Sequence, residues 1–300
     1  MFAHRFRSHL LLWILVLAFA FSCFLCLSPS GVLAEEPFDR VQKILEAEGC
    51  SQTALSLLFS SMESPAYRNV ALSMKIRESA LNYDAFLEPS ALAKARQFWR
   101  VHEETLKSIG TAYQVDPSVI VAILLVESAL GEKTGEHPVA TTLATFALMF
   151  DPEERERIWG MLSEQDRARW TRDRFHTKLK QRASWALDEL RALVDLIEKG
   201  SMDAAHWRGS YMAAVGWPQF LPSSLLRYGA DGNGDGRVDL KSPEDAFASI
   251  ARYLKSHGWT NDASMEHQEK VILHYNNSRP YARTILEAAR RLRDGRTATP

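Results

Sequence analysis

The chain has 300 residues, with 36 Lys and Arg against 37 Asp and Glu, so its formal net charge is -1. This balance excludes a strongly basic nucleic-acid-binding protein. Hydrophobic residues make up 46% of the chain and charged residues 24%, with 15 Gly and 12 Pro. That composition is typical of a folded globular protein and excludes a disordered or fibrous one.

The N-terminus has the pattern of an export signal. Basic residues precede an apolar run over residues 10–27, and Ala34 supplies a small residue at a cleavage point. We predict a secretory signal peptide over residues 1–34. An uncleaved membrane anchor stays open, because the run approaches the length that spans a bilayer. Lipidation at Cys23 is a weaker alternative. After cleavage only Cys50 would remain, which predicts no internal disulfide.

The next clear elements are two helices. Apolar residues recur at three- and four-residue steps from Leu92 to Tyr113, which predicts one amphipathic helix. Asp116 then stands where a helix N-cap belongs and is followed by Pro117, a residue tolerated in the first turn. We therefore predict a second helix over residues 118–130.

The rest of the chain also favours helices. Residues 153–199 mix charged and apolar side chains without the alternation of a strand, and a further helix is predicted over residues 246–257. The expected fold is mostly α, in one unit covering residues 35–300. A smaller helical subdomain is expected at about residues 145–200.

Glu127 is the first candidate for chemistry. Residues 119–126 are all apolar, which predicts a helix buried on every side, and Glu127 follows them directly. Burial raises the pKa of a carboxyl group and keeps its proton available for general acid catalysis. The alternative is that Glu127 lies near the helix end, reaches solvent and has no chemical role.

Residues 209–224 form a second candidate segment, which combines small, aromatic and polar side chains. Small residues let the backbone approach a ligand, aromatic rings can face sugar rings, and polar side chains can donate hydrogen bonds to them. The aromatic and polar members are Ser210, Tyr211, Trp217, Gln219 and Phe220.

Several segments together resemble the lytic murein transglycosylase B family. They occur in that family's order and cover about residues 90–290. They are residues 126–128 with Gly131, the segment 209–224, the Asp/Asn/Gly-rich loop 231–236 with its sequel 246–259, and Tyr275-Asn276 with Ser278.

The resemblance implies a lysozyme-like α fold that cleaves the bond between N-acetylmuramic acid and N-acetylglucosamine in peptidoglycan. It implies Glu127 as the catalytic acid and no cofactor for catalysis. The implied partners are peptidoglycan glycan strands, acted on by a monomer in the periplasm, with other cell-wall enzymes left open as partners. The implied substrate-binding residues are Ser210, Gln219, Phe220, Tyr253, Tyr275 and Asn276.

The implied reaction uses one carboxyl group as acid and then as base. Glu127 would protonate the glycosidic oxygen and then deprotonate the muramic acid C6 hydroxyl, which closes a 1,6-anhydro ring. Ordinary glycosidases use two carboxylates. Two alternatives stay open: a hydrolytic muramidase and a peptidoglycan-binding scaffold without turnover.

One segment departs from the family's pattern. Family members carry an aromatic-Pro-Arg-Arg stretch where this chain has acidic residues within 150–157. Arg155 and Arg157 are the residues that could replace those arginines. We therefore expect a weaker or different contact with the stem peptide.

Residues 231–239 match the first nine positions of a calcium-binding helix-loop-helix. Position twelve is Ser242 instead of Glu, and the resemblance implies that a later acid, Asp245, closes the site. We expect a structural Ca²⁺. The alternative is an exposed turn in which Ser242 and Asp245 form a capping box. The predicted ligands are Asp231, Asn233, Asp235, Arg237 through its backbone carbonyl, and Asp245.

Overall fold

The computed structural model describes residues 36–77 and 81–297. Residues from Arg40 onward belong to one compact unit. The described chain is mostly helical, so the predicted fold class is confirmed. The predicted signal peptide at residues 1–34 lies outside the described residues, and the smaller helical subdomain stays a prediction.

The described chain forms α-helices of 4 to 27 residues and two strands of two residues each. In chain order they are α1 (Asp39–Ala47), α2 (Gln52–Ser60), α3 (Tyr67–Lys75), α4 (Pro89–Val101), α5 (Glu103–Tyr113), α6 (Pro117–Ser128), β1 (His137–Pro138), α7 (Val139–Ala147), α8 (Pro152–Gly160), α9 (Glu164–Arg167), α10 (Arg172–Glu198), β2 (Arg208–Gly209), α11 (Pro222–Tyr228), α12 (Pro243–Ser256), α13 (Met265–Tyr275) and α14 (Arg279–Thr297). Short 3-10 helices cover Tyr83–Leu87, Leu148–Phe150 and Met202–His206.

The prediction of one helix from Leu92 to Tyr113 was wrong. The helix breaks at His102, whose backbone has φ -108° and ψ 22°, and the chain continues as α5. The apolar pattern skips one turn between Trp99 and Leu106 and then resumes in register, so it does not reveal the break. The His102 ring packs against Phe98, with ring centroids 4.5 Å apart.

Helix α6 forms much as predicted. The Asp116 carboxylate accepts a hydrogen bond from the Ser118 backbone N–H at 2.8 Å, so Asp116 is the N-cap. Every residue over 118–125 is buried. The helix ends at Ser128, two residues before the predicted end, because Ala129 takes the left-handed conformation.

Helix α6 lies inside the larger hydrophobic core. α14 packs along it, and residues from α4, α5, α12 and α13 complete the cluster. The fully buried residues of that cluster include Ile120, Ile123, Phe247, Tyr281 and Ile285. The core therefore holds the C-terminal end of α6, and with it Glu127, from several sides.

A second group of helices packs around α10, which spans 27 residues. α7 and α11 lie against it. β1 and β2 form an antiparallel pair in which His137 faces Gly209. Among the described helices, no single one is long and apolar enough to cross a membrane; α5 and α6 pass that test only as a pair, with a bend of 115° between them.

Candidate active site

The backbone after Glu127 turns sharply. Ala129, Leu130 and Gly131 all have positive φ, at 49°, 65° and 91°. The Leu130 N–H donates to the Leu124 carbonyl at 2.9 Å and closes the helix. At Gly131 a Cβ atom would lie 2.4 Å from Cε2 of Trp217, so only glycine fits there. This turn fixes where Glu127 leaves the helix.

The Glu127 carboxyl group is held in an apolar environment with one strong hydrogen-bond donor. The Tyr281 hydroxyl donates to Oε1 of Glu127 at 2.6 Å, and Tyr281 is 1% exposed. Burial raises the pKa of Glu127 to about 7, although the hydrogen bond from Tyr281 lowers it. Glu127 keeps part of its surface accessible. It can therefore carry a proton near neutral pH and exchange it with a ligand.

Tyr275 lies beside this carboxyl group. Burial raises the pKa of Tyr275 well above its usual value, and the nearby charge of Glu127 raises it further. The Tyr275 hydroxyl donates to the Pro218 carbonyl at 2.6 Å. This bond ties the end of α13 to the segment 209–224, so the structure brings two of the predicted site segments together next to Glu127.

The segment 209–224 folds back on itself. The Ser210 Oγ accepts hydrogen bonds from the backbone N–H groups of Met212 and Ala214 at 3.2 and 3.1 Å. Gln219 has φ 53°, and its side-chain amide donates to the carbonyls of Thr134 and Gly216 at 3.2 and 2.8 Å. Both side chains are half-buried and both hold the loop in shape.

Three of the predicted residues form an aromatic cluster. The ring of Phe220 lies 5.6 Å from that of Tyr253 and 5.8 Å from that of Tyr275, and the two tyrosine rings are 4.8 Å apart. Phe220 is only 3% exposed, and the Tyr253 hydroxyl donates to the His274 carbonyl at 2.6 Å. Phe220 and Tyr253 thus support the site from behind, while Tyr275 and Asn276 are half-buried at its surface.

Sequence reasoning missed Tyr281. It lies near the start of α14 and follows Tyr275 by six positions, and a lone tyrosine in an amphipathic helix is more often a core residue. Its contact with Glu127 joins residues 154 positions apart. The sequence carries no signal for such a pairing.

The predicted cation loop folds tightly around Asp231. Its carboxylate accepts hydrogen bonds from backbone N–H groups of Gly234, Asp235 and Gly236, which lowers the pKa of Asp231. Asn233 Oδ1 accepts from the N–H of Asp235 at 2.9 Å. Within residues 36–77 and 81–297, no group of three or more His, Cys, Asp or Glu side chains is arranged to hold a metal ion.

Asp245 joins this loop to α12. It is 1% exposed, and its two carboxylate oxygens accept from the N–H groups of Gly232 and Asp239 at 2.8 and 2.7 Å. Ser242 is the N-cap residue but makes no side-chain cap hydrogen bond. Ser242 and Asp245 therefore do not form a capping box.

In the segment 150–157, which differs from the family's pattern, both candidate arginines already have partners within the protein. Arg155 is buried and donates to the carbonyls of Met149 and Phe150 at 2.8 and 2.7 Å. Arg157 pairs with Glu154 at 3.0 Å. Arg155 therefore supports the backbone at this position.

Known proteins with a similar sequence or fold were compared with this chain. Residues 34–270 match the family model described as the Transglycosylase SLT domain. Membrane-bound lytic murein transglycosylase B of Escherichia coli (strain K12) is 28% identical over 174 residues, which are 58% of this chain and 40% of that protein. The chain thus matches well under half of the length of this curated relative.

Solved structures share the fold. SltB3 of Pseudomonas aeruginosa, in complex with NAG-anhNAM-pentapeptide, superposes with a TM-score of 0.66 at 21% identity, over 85% of this chain and 79% of that one. The Escherichia coli lytic transglycosylase Slt35, in complex with calcium, superposes with a TM-score of 0.59 at 18% identity, over 89% and 96% of the two chains. The fold is thus that of the lysozyme-like lytic transglycosylases, and the chain belongs to the Transglycosylase SLT domain family.

Proposed function

We propose that this protein is a peptidoglycan lytic transglycosylase in which Glu127 is the acid and then the base. The observation that carries the proposal is the state of its carboxyl group. Burial and the Tyr281 hydroxyl account for the pKa of about 7, and no second carboxylate of the described chain contributes to it. A single carboxyl group with a pKa near neutral suits a reaction in which the same residue first donates a proton and then accepts one.

The proposed reaction breaks the glycosidic bond and forms a new C–O bond within one sugar. Glu127 gives its proton to the glycosidic oxygen, and N-acetylglucosamine leaves with that proton. The N-acetyl carbonyl of the muramic acid stabilises the positive charge at C1. The Glu127 carboxylate then takes the proton of the C6 hydroxyl while O6 attacks C1. No water is consumed, and Glu127 ends in its starting state.

Substrate positioning falls to the half-buried residues around Glu127. We assign Ser210, Gln219, Tyr275 and Asn276 to the glycan, with Phe220 and Tyr253 behind them. A sugar held in an attack geometry gains rate because the two reacting groups already lie close together. The anhydro-muropeptide in the complex of SltB3 supports this class of ligand.

The test is product analysis by mass spectrometry. The full chain and its Glu127→Gln variant are incubated with purified peptidoglycan glycan strands. We expect 1,6-anhydro products, lighter by one water than hydrolytic products, from the wild type and none from the variant. Full-mass products with reducing ends would identify a muramidase. Binding without any product would identify a scaffold, and either result would contradict the proposal.

We also propose that the loop over residues 231–239 binds a structural Ca²⁺. Its oxygen donors suit a hard cation. Asp231, Asn233, Asp235 and the backbone carbonyl of Arg237 would hold the ion, with Asp245 closing the site from α12. The three carboxylates of this set, Asp231, Asp235 and Asp245, are not gathered around one point in the described structure, so binding would have to draw them together. The calcium complex of Slt35 supports the assignment.

The calcium proposal is tested by thermal unfolding. We expect millimolar Ca²⁺ to raise the Tm of the wild type, since a ligand that binds only the folded state stabilises it. The Asp231→Asn variant should lose that shift, whereas Mg²⁺ should produce little of it. An unchanged Tm of the wild type with Ca²⁺ would contradict a site in this loop.

We propose that the protein acts outside the cytoplasm, on the cell wall. The predicted signal peptide at residues 1–34 and the membrane-bound relative support export. Peptidoglycan strands are the proposed partner. Edman sequencing of the protein from a periplasmic fraction would test cleavage after Ala34, and an intact N-terminus would favour the anchor.

A further inference from the structure

Arg182 of helix α10 donates hydrogen bonds only to neutral acceptors among the described residues. Nη1 of Arg182 donates to Ser73 Oγ and, at 3.3 Å, to Met74 Sδ. Nη2 donates to the Ser73 carbonyl at 3.0 Å. All of these acceptors are neutral. Within the part of the chain that the structure describes, no carboxylate forms an ion pair with Arg182.

Arg169 offers a direct comparison, because it contacts the same end of α3. Its Nη1 and Nη2 donate to the carbonyls of Lys75 and Met74 at 3.1 and 3.4 Å. Arg169 also pairs with Asp166 at 2.7 Å. Two arginines thus cap the C-terminus of α3, whose dipole supplies roughly half a negative charge. Arg169 is neutralised by a carboxylate, whereas Arg182 has no carboxylate partner among the residues that the structure describes.

The uncompensated charge of Arg182 is largely removed from water. Burial lowers the pKa of Arg182, and Tyr211 lies near enough to act on it electrostatically. A buried cation without a partner is costly. Both Arg182 and Tyr211 keep part of their surface accessible, and Tyr211 belongs to the segment 209–224 beside Glu127. The charge is therefore only partly shielded from solvent, and it lies near a residue of that segment.

The donors that remain on Arg182 match a carboxylate. A guanidinium has five N–H donors. Two on Nη1 and one on Nη2 are used, which leaves Nε–H and one Nη2–H. Nε and Nη2 are attached to the same carbon, and a pair of such N–H groups fits the two oxygens of a carboxylate.

We propose that Arg182 and Tyr211 bind a carboxylate on the muramic acid arm of the substrate. The inference rests on the proposed function. The sugar rings of peptidoglycan are uncharged, so its anions lie on the stem peptide or, where that peptide has been removed, on the free lactyl carboxylate. Arg155 and Arg157 are committed within the segment 150–157, and Arg208, which precedes the segment 209–224, pairs with Glu63 at 2.8 Å. Arg182 lies near Tyr211 and has no ion-paired carboxylate among the described residues.

The experiment measures binding and turnover with three kinds of glycan strand. The first carries stem peptides, the second is denuded and has free lactyl carboxylates, and the third is denuded with those carboxylates converted to methylamides. Binding is measured by calorimetry in a Glu127→Gln background, so that it does not depend on turnover. Arg182→Gln is compared with Arg182→Lys and with the matched control Arg169→Gln.

We expect Arg182→Gln to weaken binding and raise KM by about tenfold or more on carboxylate-bearing strands, with little change on methylamide strands. Arg182→Lys, which keeps a charge but has no pair of coplanar N–H donors, should recover only part of the affinity. Tyr211→Phe should show a smaller loss of the same kind. Arg169→Gln should affect all three strands alike.

The two possible sources of the carboxylate are distinguished by which glycan strand loses affinity when Arg182 is replaced by Gln. A loss on peptide-bearing strands alone assigns the carboxylate to the peptide, and a loss on denuded strands assigns it to the lactyl group. Equal losses on all three strands, or no loss, would overturn the inference. Carboxylate-dependent binding without any anhydro product from the wild type would instead overturn the proposed function and leave the carboxylate site standing.

Discussion

Two buried glutamates show how differently a protein can use an acid. Glu127 ends α6, and Glu189 lies in the middle of α10. Burial raises the pKa of both. Glu189 accepts two hydrogen bonds from Ser223, one from its backbone N–H at 2.9 Å and one from its hydroxyl at 2.8 Å. Glu127 accepts one, from Tyr281.

The difference lies in the donors and in access to solvent. Ser223 stands in the first turn of α11, so Glu189 satisfies one free backbone N–H at the start of that helix and ties α10 to α11. Glu189 is 4% exposed and cannot meet a ligand. Glu127 accepts fewer hydrogen bonds and keeps part of its surface accessible to solvent. Burial alone therefore does not mark a catalytic acid, and the four predictions that follow test the contrast between the two.

The largest expected effect separates the two acids by activity. Glu127→Gln should lower kcat by about 10³-fold or more, because the proton donor is lost. Glu189→Gln should leave kcat within about twofold in protein that is folded. Steady-state release of anhydro ends measures both. Comparable losses in the two variants would remove the distinction between them.

The second prediction concerns stability against pH. The pKa of Glu127 is about 7 in the folded protein against an ordinary value of 4.5, so the folded state disfavours its ionisation. The stability that this raised pKa contributes is full below about pH 4.5 and is lost as the pH rises through 7. Glutamine does not ionise, so the Glu127→Gln variant does not lose this stability as the pH rises. Its free energy of unfolding should exceed that of the wild type by about 3 kcal/mol at pH 8 and equal it near pH 4.5.

Denaturant unfolding at the two pH values measures this difference. The Glu189→Gln variant is the control. Burial raises the pKa of Glu189 as well, but this substitution also disrupts the hydrogen bonds from Ser223, so it should gain less stability at pH 8 than Glu127→Gln. A Glu127→Gln variant that is less stable than wild type at pH 8 would show that the carboxylate is well solvated or compensated.

The third prediction concerns Tyr281. Tyr281→Phe removes the hydrogen bond that favours the Glu127 carboxylate, so the pKa of Glu127 should rise. The alkaline limb of the kcat/KM profile should move to higher pH, and kcat should fall by about tenfold because the base is less well oriented. Tyr83→Phe, which alters a ring in contact with Tyr281, is the control. An unmoved alkaline limb would argue against this contact.

The smallest expected effect concerns Glu189. Ser223→Ala removes the hydroxyl that donates to Oε1 of the buried Glu189 carboxylate. We expect a loss of about 1–2 kcal/mol in the free energy of unfolding and unchanged kcat. Denaturant unfolding and kinetics on the same preparation measure both. A fall in kcat with unchanged stability would place Glu189 in the chemistry.

Local patterns predicted much of the fold. The apolar run and the Asp-Pro pair before it were enough to predict the N-cap at Asp116, the burial of α6 and the position of Glu127 at its end. The break at His102 did not follow, because the apolar steps resume in register after one missing turn. Periodicity reports which face is apolar, and it does not report where the helix axis changes direction.

The site was predicted only where it is local. Glu127 stands out by its apolar neighbours, whereas Tyr281 reaches it across 154 positions and Arg182 meets Ser73 across 109. Such pairs are fixed by packing and leave no mark in a single sequence. The N–H groups of the Gln219 amide are committed to two backbone carbonyls, so only its Oε1 is proposed to meet the glycan.

The most direct test of the account is a titration of the Glu127 carboxyl group by ¹³C NMR in the full chain. The resonance is assigned by its absence from Glu127→Gln, and Glu189→Gln assigns the second buried acid in the same way. The account predicts an apparent pKa of about 7 for Glu127, matching the alkaline limb of the kcat/KM profile. A carboxyl group that titrates near its ordinary value of 4.5 would contradict the assignment of Glu127 as the proton donor.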